Sequence, residues 1–286
     1  MNRSRTIGEI SLILGVPVPT LRSWERRYGV PRPRRTGGGH RRYTERELRA
    51  LRAMRDAIAS GLSARQAAEV AAEAMDFAPG PYAELILDAV ERLEPGNIRA
   101  AFDAAREALG AERAIAGIAL PVMREVGWRW ATGRCDVAQE HLASEALRAW
   151  LAAVRASAPA PEGPLVLLAC PQGEHHTLGI EAFATLLALR GVDARLLGAS
   201  TPTEAIAAAL ARTRPRAVVI ACQRRVGRRH AIEALRVVAS EGSALPFYAG
   251  AAFANPAARR SAPGIHLGGD LSTAADALQE QLSSTG

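Results

Sequence analysis

Residues 165–190 read LVLLACPQGEHHTLGIEAFATLLALR, and this stretch decides the fold. Leu165 to Cys170 is a short unbroken apolar run, as expected of a strand covered on both faces. Pro171-Gln172-Gly173 ends it, and from Gly179 the spacing of apolar residues becomes helical, Ile180 to Arg190. The same change recurs downstream. Ala194 to Leu197, Ala217 to Cys222 and Pro246 to Tyr248 read as strands, whereas Pro202 to Thr213 and His230 to Glu241 read as helices. Strand and helix in turn predict a parallel, doubly wound α/β sheet of Rossmann-like type over residues 164–286. Such sheets take ligands at the carboxyl ends of their strands, which is where Gln172 to Thr177 fall.

Working outward, Ala156-Ser157-Ala158-Pro159-Ala160-Pro161-Glu162-Gly163-Pro164 and Phe77-Ala78-Pro79-Gly80-Pro81 have the composition of linkers, because proline cannot continue a helix. Between them, residues 81–156 are Ala-, Leu- and Glu-rich. They are interrupted only at Glu94-Pro95-Gly96-Asn97, Gly110 and Thr132-Gly133, which predicts an antiparallel four-helix bundle. Residues 1–76 predict short helices. Ile7 to Leu14, the turn Gly15-Val16-Pro17, and a second helix from Pro19 through Tyr28 have helix-turn-helix spacing. Thr44 with Glu47, and Ser63 with Gln66, are capping-box patterns that open two further helices. Apart from Arg34 to Tyr43 this segment reads as all-α.

Charge is divided unequally. Residues 1–75 hold 15 Arg against 7 acidic residues, a net of +8, so the rest of a chain whose total is +7 carries −1. A compact basic module is the electrostatic footprint of a nucleic-acid binder, since neutralising phosphates releases counterions. The plainer alternative is a solubilising surface in a chain that uses Arg and no Lys. Cys135, Cys170 and Cys222 form no CxxC pair, which argues against a disulfide framework or structural zinc; Cys170 and Cys222 read as small buried residues. Ile115 to Met123 and Ala217 to Cys222 are too short to span a bilayer, and Met1 to Thr6 lack a signal-peptide core. The expectation is a soluble, cytoplasmic protein with no membrane partner.

Two constellations carry chemistry. In the second helix, Arg22, Arg26 and Arg27 lie close together, with Leu21 and Trp24 free to pack inward, so a basic face can meet phosphates while the helix enters a major groove. After it, Arg34-Arg35-Thr36-Gly37-Gly38-Gly39-His40-Arg41-Arg42-Tyr43 combines a tight glycine turn with flanking cations, a wing for the sugar-phosphate backbone. Over about Thr6 to Met75 the chain resembles the MerR family of winged-helix regulators. That resemblance implies that Arg22, Arg26, Arg27, Arg35, His40, Arg41, Arg42 and Tyr43 touch DNA. Pro17 stands where a Ser or Thr cap is ordinary, which leaves Pro19 to start the second helix.

The other constellation is Glu174-x-His176-x-x-Gly179 at the sheet edge. A neutral imidazole is a good cobalt ligand, and a carboxylate bonded to its second nitrogen fixes the tautomer and raises its basicity. On this fold the pattern resembles the corrinoid-binding motif of cobalamin-binding domains, in which the His binds cobalt from below and the displaced nucleotide tail inserts between sheet and helix. Trp130 followed after nine residues by Glu140-His141 resembles the bundle that covers the upper face in the light-sensing CarH and LitR group of MerR regulators. The resemblance thus implies His176 as metal ligand and Trp130, Glu140, His141, Glu174, Gly179, Gly198 and Gly250 as cofactor-binding residues. Three places depart from the pattern: Ala221-Cys222-Gln223 replaces a hydroxyl-bearing pair, Ala249-Gly250 keeps one glycine of two, and Ala131 stands where light-sensing members carry a His. The run Arg224-Arg225-Val226-Gly227-Arg228-Arg229 is either a phosphate-holding loop or an exposed one.

The expected protein is a regulator rather than an enzyme, a repressor of operator DNA gated by cobalamin, with adenosylcobalamin and light-driven cobalt–carbon cleavage as the finer expectation. Dimer or tetramer formation would set its grip on DNA. One alternative is a regulator of the same shape whose last domain binds another tetrapyrrole, or nothing, and serves as an interaction module. Another is the corrinoid carrier of a methyltransferase, against which the DNA wing argues.

Overall fold

The computed structural model describes residues 4–31, 33–35, 40–59, 62–76, 79–131 and 133–284, without the side chains of Arg34, Arg35, Glu73, Asp76 and Ala131. The chain divides into two units, Met1–Ala78 and Pro79–Gly286.

In the first unit, helices α1 (Ile7–Leu14) and α2 (Val18–Tyr28) are joined by a left-handed Gly15. Thr6 and Glu9 form a reciprocal capping box at α1, whereas Pro17 offers α2 no side-chain cap. Strands β1 (Arg34–Arg35) and β2 (Arg41–Arg42) pair antiparallel, with Arg34 opposite Arg42; Thr36 to Gly39, the tip of the expected wing, lie outside the described residues. Helix α3 (Glu45–Ala59) opens where Thr44 donates through its N–H and hydroxyl to Glu47, and α4 (Ala64–Asp76) where Ser63 and Gln66 exchange hydrogen bonds. Ile10, Leu14, Leu21, Trp24, Leu48, Leu51 and Met54 form the core beneath them. Both helices of the turn motif therefore hang on the same buried cluster, which fixes the outward face of α2.

The second unit begins with α5 (Pro81–Glu91) and α6 (Pro95–Leu109). A third rod follows as α7 (Ala111–Arg113), a π-helical stretch (Ala114–Ala119) and α8 (Leu120–Ala131), and α9 (Val137–Ala156) completes the four-helix bundle. Asp136 and Gln139 cap α9 reciprocally. Phe102 and Trp150 meet at 5.1 Å between ring centroids, and Trp150 Nε1 donates to Asp103 at 3.0 Å, so the large ring is buried without orphaning its N–H. Truncating Phe102 to Ala would cost about 3–5 kcal/mol in a core of this kind.

The remainder runs β3 (Leu165–Pro171), α10 (Leu178–Leu189), β4 (Asp193–Thr201), α11 (Thr203–Thr213), β5 (Ala217–Ala221), α12 (Arg228–Glu241), β6 (Leu245–Ala249), α13 (Pro256–Arg259), β7 (Ile265–His266) and α14 (Leu271–Ser284). All strand pairs are parallel in the order β4-β3-β5-β6-β7, the doubly wound arrangement expected. Three elements were not anticipated: β7, α14 and the four-residue α13, which an Asn255 cap starts. Strand β7 is two residues long, too short for a pattern, whereas α14 buries Ala274, Ala275, Leu278 and Leu282 at helical spacing that is plain in the sequence. Helix α10 belongs to two cores at once: Phe183 and Leu187 pack on the sheet, while Ala182 and Leu186 pack into the bundle. Thr185 Oγ1 donates to Leu151 O at 3.3 Å and Arg148 Nε to Glu181 at 3.2 Å across the same seam. All three cysteines are buried and unpaired. Among the described residues no helix is long and apolar enough to cross a membrane.

Candidate functional site

On the first unit, Leu21 and Trp24 turn inward and leave Arg22, Arg26 and Arg27 exposed on the other side of α2. Arg42 and His40 are exposed as well. Arg41 is used differently: its Nε donates to Glu25 at 2.6 Å, which ties β2 to the exposed helix and raises the guanidinium pKa through that hydrogen bond. Tyr43 is corrected. Its ring is 1% exposed and burial pushes its hydroxyl up to about 12, while its backbone pairs with Arg5 in both directions. A residue so placed anchors the strand and cannot reach a DNA groove with its side chain. The side chain of Arg35 lies outside the described residues.

The sheet site is built around a fully buried carboxylate. Glu174 Oε1 accepts from His176 Nδ1 at 2.6 Å and from the His176 backbone at 3.0 Å; Oε2 accepts from the N–H groups of Gln223 at 2.7 Å and Arg224 at 2.8 Å. Burial alone would raise this carboxyl, but the bonds from His176, Arg224 and Gln223 outweigh it and hold the group at about 2. Glu174 is therefore a fixed anion. It keeps a proton on His176 Nδ1 and raises that imidazole's pKa, burial opposing and Glu140 assisting. Nε2 has no hydrogen-bond partner among the described residues, and the side chain is 61% exposed.

A single imidazole backed by one buried carboxylate suits a metal that brings its other ligands with it. Among the described residues no group of three or more His, Cys, Asp or Glu side chains could hold a bare ion. The donor set thus fits a metal that arrives with its other ligands in place, to which His176 offers one imidazole nitrogen.

The other expected residues are distributed around this centre. Glu140, near the start of α9, is close enough for its charge to act on His176, and it accepts from Ser144 Oγ at 2.9 Å. His141 is exposed, with its ring 3.7 Å from Glu140, and among the described residues no hydrogen bond or ion pair joins it to His176. Trp130 is 49% exposed, whereas Trp128 is the ring of that helix that enters the core. The side chain of Ala131 lies outside the described residues. Gly198 sits with φ 91° where the β3–β4 register slips. Gly250 is needed by the sheet itself, since a Cβ there would lie 2.2 Å from the Cys222 carbonyl oxygen.

Sequence reasoning missed the second half of the carboxylate's cage. The donors on Oε2 are backbone amides about fifty positions away, and backbone N–H groups leave no residue signature. Cys222 adds its thiol 3.7 Å from the same oxygen, and burial pushes that thiol up to about 12. In the basic run, Arg224 and Arg225 are exposed, Arg229 Nε stands 3.7 Å from Glu233, and His230 Nδ1 faces Gln172 O at 3.1 Å.

Residues 5–74 match the MerR HTH family of regulatory proteins, and residues 82–155 and 164–278 match two B12 binding domain families. Among curated relatives, the HTH-type transcriptional repressor CarA of Myxococcus xanthus is 38% identical over 224 residues, 76% of this chain and 75% of CarA. The repressor CarH of the same organism is 32% identical over 229 residues, 74% of this chain and 77% of CarH. The regulator MlrA of Escherichia coli matches at 40% over 57 residues only, 20% of this chain and 24% of MlrA. Among solved structures, the monomethylamine corrinoid protein of Methanosarcina barkeri superposes with a TM-score of 0.53 at 16% identity, over 68% of this chain and 96% of that one, a likeness of fold.

Proposed function

The chain belongs to the family of CarA- and CarH-type transcriptional repressors, with a MerR helix-turn-helix and B12-binding domains, and from that premise we propose that it is a repressor gated by adenosylcobalamin through His176. It is a DNA-binding, cobalamin-binding regulator and not an enzyme. The observation that carries the proposal is the Glu174–His176 pair: an anion fixed by four hydrogen bonds holds Nδ1 protonated and leaves Nε2 outward.

In this reading residues 1–76 would read DNA, and residues 81–156 and 164–286 would hold the cobalamin between them. A bound cobalamin supplies a cobalt ion that accepts an imidazole nitrogen and, in its alkylated form, a cobalt–carbon bond that light can break. His176 presents the nitrogen, Glu174 fixes its tautomer, and Glu140 adds a negative charge near enough to favour the protonated imidazole. Trp130 offers an exposed indole face to whatever the bundle covers. On the DNA side, Arg22, Arg26 and Arg27 line the recognition helix, Arg42 and His40 reach the backbone, and Arg41 holds the wing to α2. Cobalamin would set a dimeric or tetrameric state and thereby operator affinity, and illumination would release it.

Visible spectra of the purified chain, mixed in the dark with adenosylcobalamin or methylcobalamin, test the reading. A spectrum of imidazole-ligated cobalt that is lost in His176→Ala is the expected result, and absence of any retained corrinoid after gel filtration refutes it. A regulator whose sheet domain takes another tetrapyrrole, or none, is favoured by one observation: Ala221 and Gln223 stand where the pattern carries hydroxyl groups.

A further inference from the structure

The sheet reverses its winding direction between β3 and β5, because β3 leads through α10 to β4 on one side while every later strand is added on the other. A crevice opens at the carboxyl ends of the strands at such a point. Glu174 lies on one side of it and Gln223 on the other. The Gln223 backbone is pinned by its 2.7 Å bond to Glu174, so the side chain starts from a fixed place on the far side of that carboxylate from the His176 ring. Its Oε1 accepts from Ala251 N–H at 3.1 Å. Its Nε2 lies 3.8 Å from the point a Cβ on Gly179 would occupy, the one contact within 4 Å that such an atom would make among the described residues beyond its chain neighbours and its own helix backbone. One amide side chain therefore spans from the end of β6 to the first turn of α10.

We propose that Gln223 is a specificity-determining residue of the corrinoid site, a latch that a pendant nucleotide must open to enter the β3–β5 crevice, which lowers the preference for corrinoids that carry that tail over those that lack it. The inference rests on the cobalamin reading above. A tail that passes between α10 and the sheet edge must break the Gln223–Ala251 bond and leave the Ala251 N–H to find another acceptor. A corrinoid ring lacking the nucleotide needs His176 alone and leaves the latch shut. Gln223→Ala removes the latch and keeps the backbone bond to Glu174. Gln223→Asn keeps an amide but is one methylene too short to bridge Gly179 and Ala251.

The experiment is an equilibrium titration of the full chain in the dark, followed by visible absorption, with cobalamin and with cobinamide, which has no nucleotide. Both variants should bind cobalamin about three- to tenfold more tightly than the parent, the worth of one neutral hydrogen bond. Their cobinamide affinity should stay within about twofold. Having two variants guards against one failing to fold. Equal changes for both corrinoids, no change for either, or weaker cobalamin binding in both variants would overturn the latch while leaving the site intact. A parent chain that binds neither corrinoid removes the cobalamin reading, and the latch with it.

Discussion

The two sites solve opposite electrostatic problems. The face of α2 carries Arg22, Arg26 and Arg27 in solvent, while the sheet edge buries a single carboxylate and satisfies it with backbone and imidazole donors. A polyanion is long and regular, so spread charges on exposed side chains suffice and lose little when one is removed. A metal ligand must be held in one orientation and one tautomer, so its support is buried, short-ranged and intolerant of change. Preorganisation is concentrated where the ligand is a point and diluted where it is a line.

That contrast orders the expected effects of mutation. His176→Ala should abolish corrinoid retention on gel filtration while the DNA-reading unit, a separate compact unit, stays folded; retained corrinoid would break the contrast at its strongest point. Glu174→Gln keeps the shape but removes the charge, and should weaken corrinoid binding about 10- to 100-fold, the usual range for a partner behind a metal-binding His. An unchanged affinity would mean that the imidazole needs no fixed anion. On the other site, Arg42→Ala should weaken binding to all sequences alike and lower the slope of log affinity against log salt by about one. Arg41→Ala sharpens the comparison, because Arg41 is only partly exposed and its Nε is held by Glu25. Its loss should loosen the strand from α2 and blur sequence preference more than it changes the salt slope. Smallest of all, Arg148→Ala should shift stability by less than about 1 kcal/mol in thermal unfolding, since its pairs with Glu145 and Glu181 are partly exposed.

The same contrast governs how much could be read in advance. Winged helix, bundle and doubly wound sheet were legible because apolar periodicity, capping boxes and proline breaks are local. So was Glu174–His176, two residues apart. What stayed hidden depended on the chain returning to itself. The amides of Gln223 and Arg224 meet Glu174 only once β3 and β5 lie side by side. Tyr43 misled because a wing sequence and a core anchor look alike until burial separates them; its ring closes the cluster under α1 and α3. Helix α14 is a different case, since Ala274, Ala275, Leu278 and Leu282 have a helical spacing that is local and plain in the sequence.

Helix α10 starts two residues after His176 and contributes side chains to both the bundle core and the sheet core. A push on the imidazole therefore acts on a stiff lever whose flank is gripped by the bundle, and bundle and sheet cannot swing apart as independent bodies without stripping Ala182 and Leu186 from their neighbours. The tether at residues 157–164 consequently bears no mechanical burden. A protease that cuts at its exposed Ala160–Pro161–Glu162 stretch should leave two fragments that migrate as one particle and part only when the fold melts.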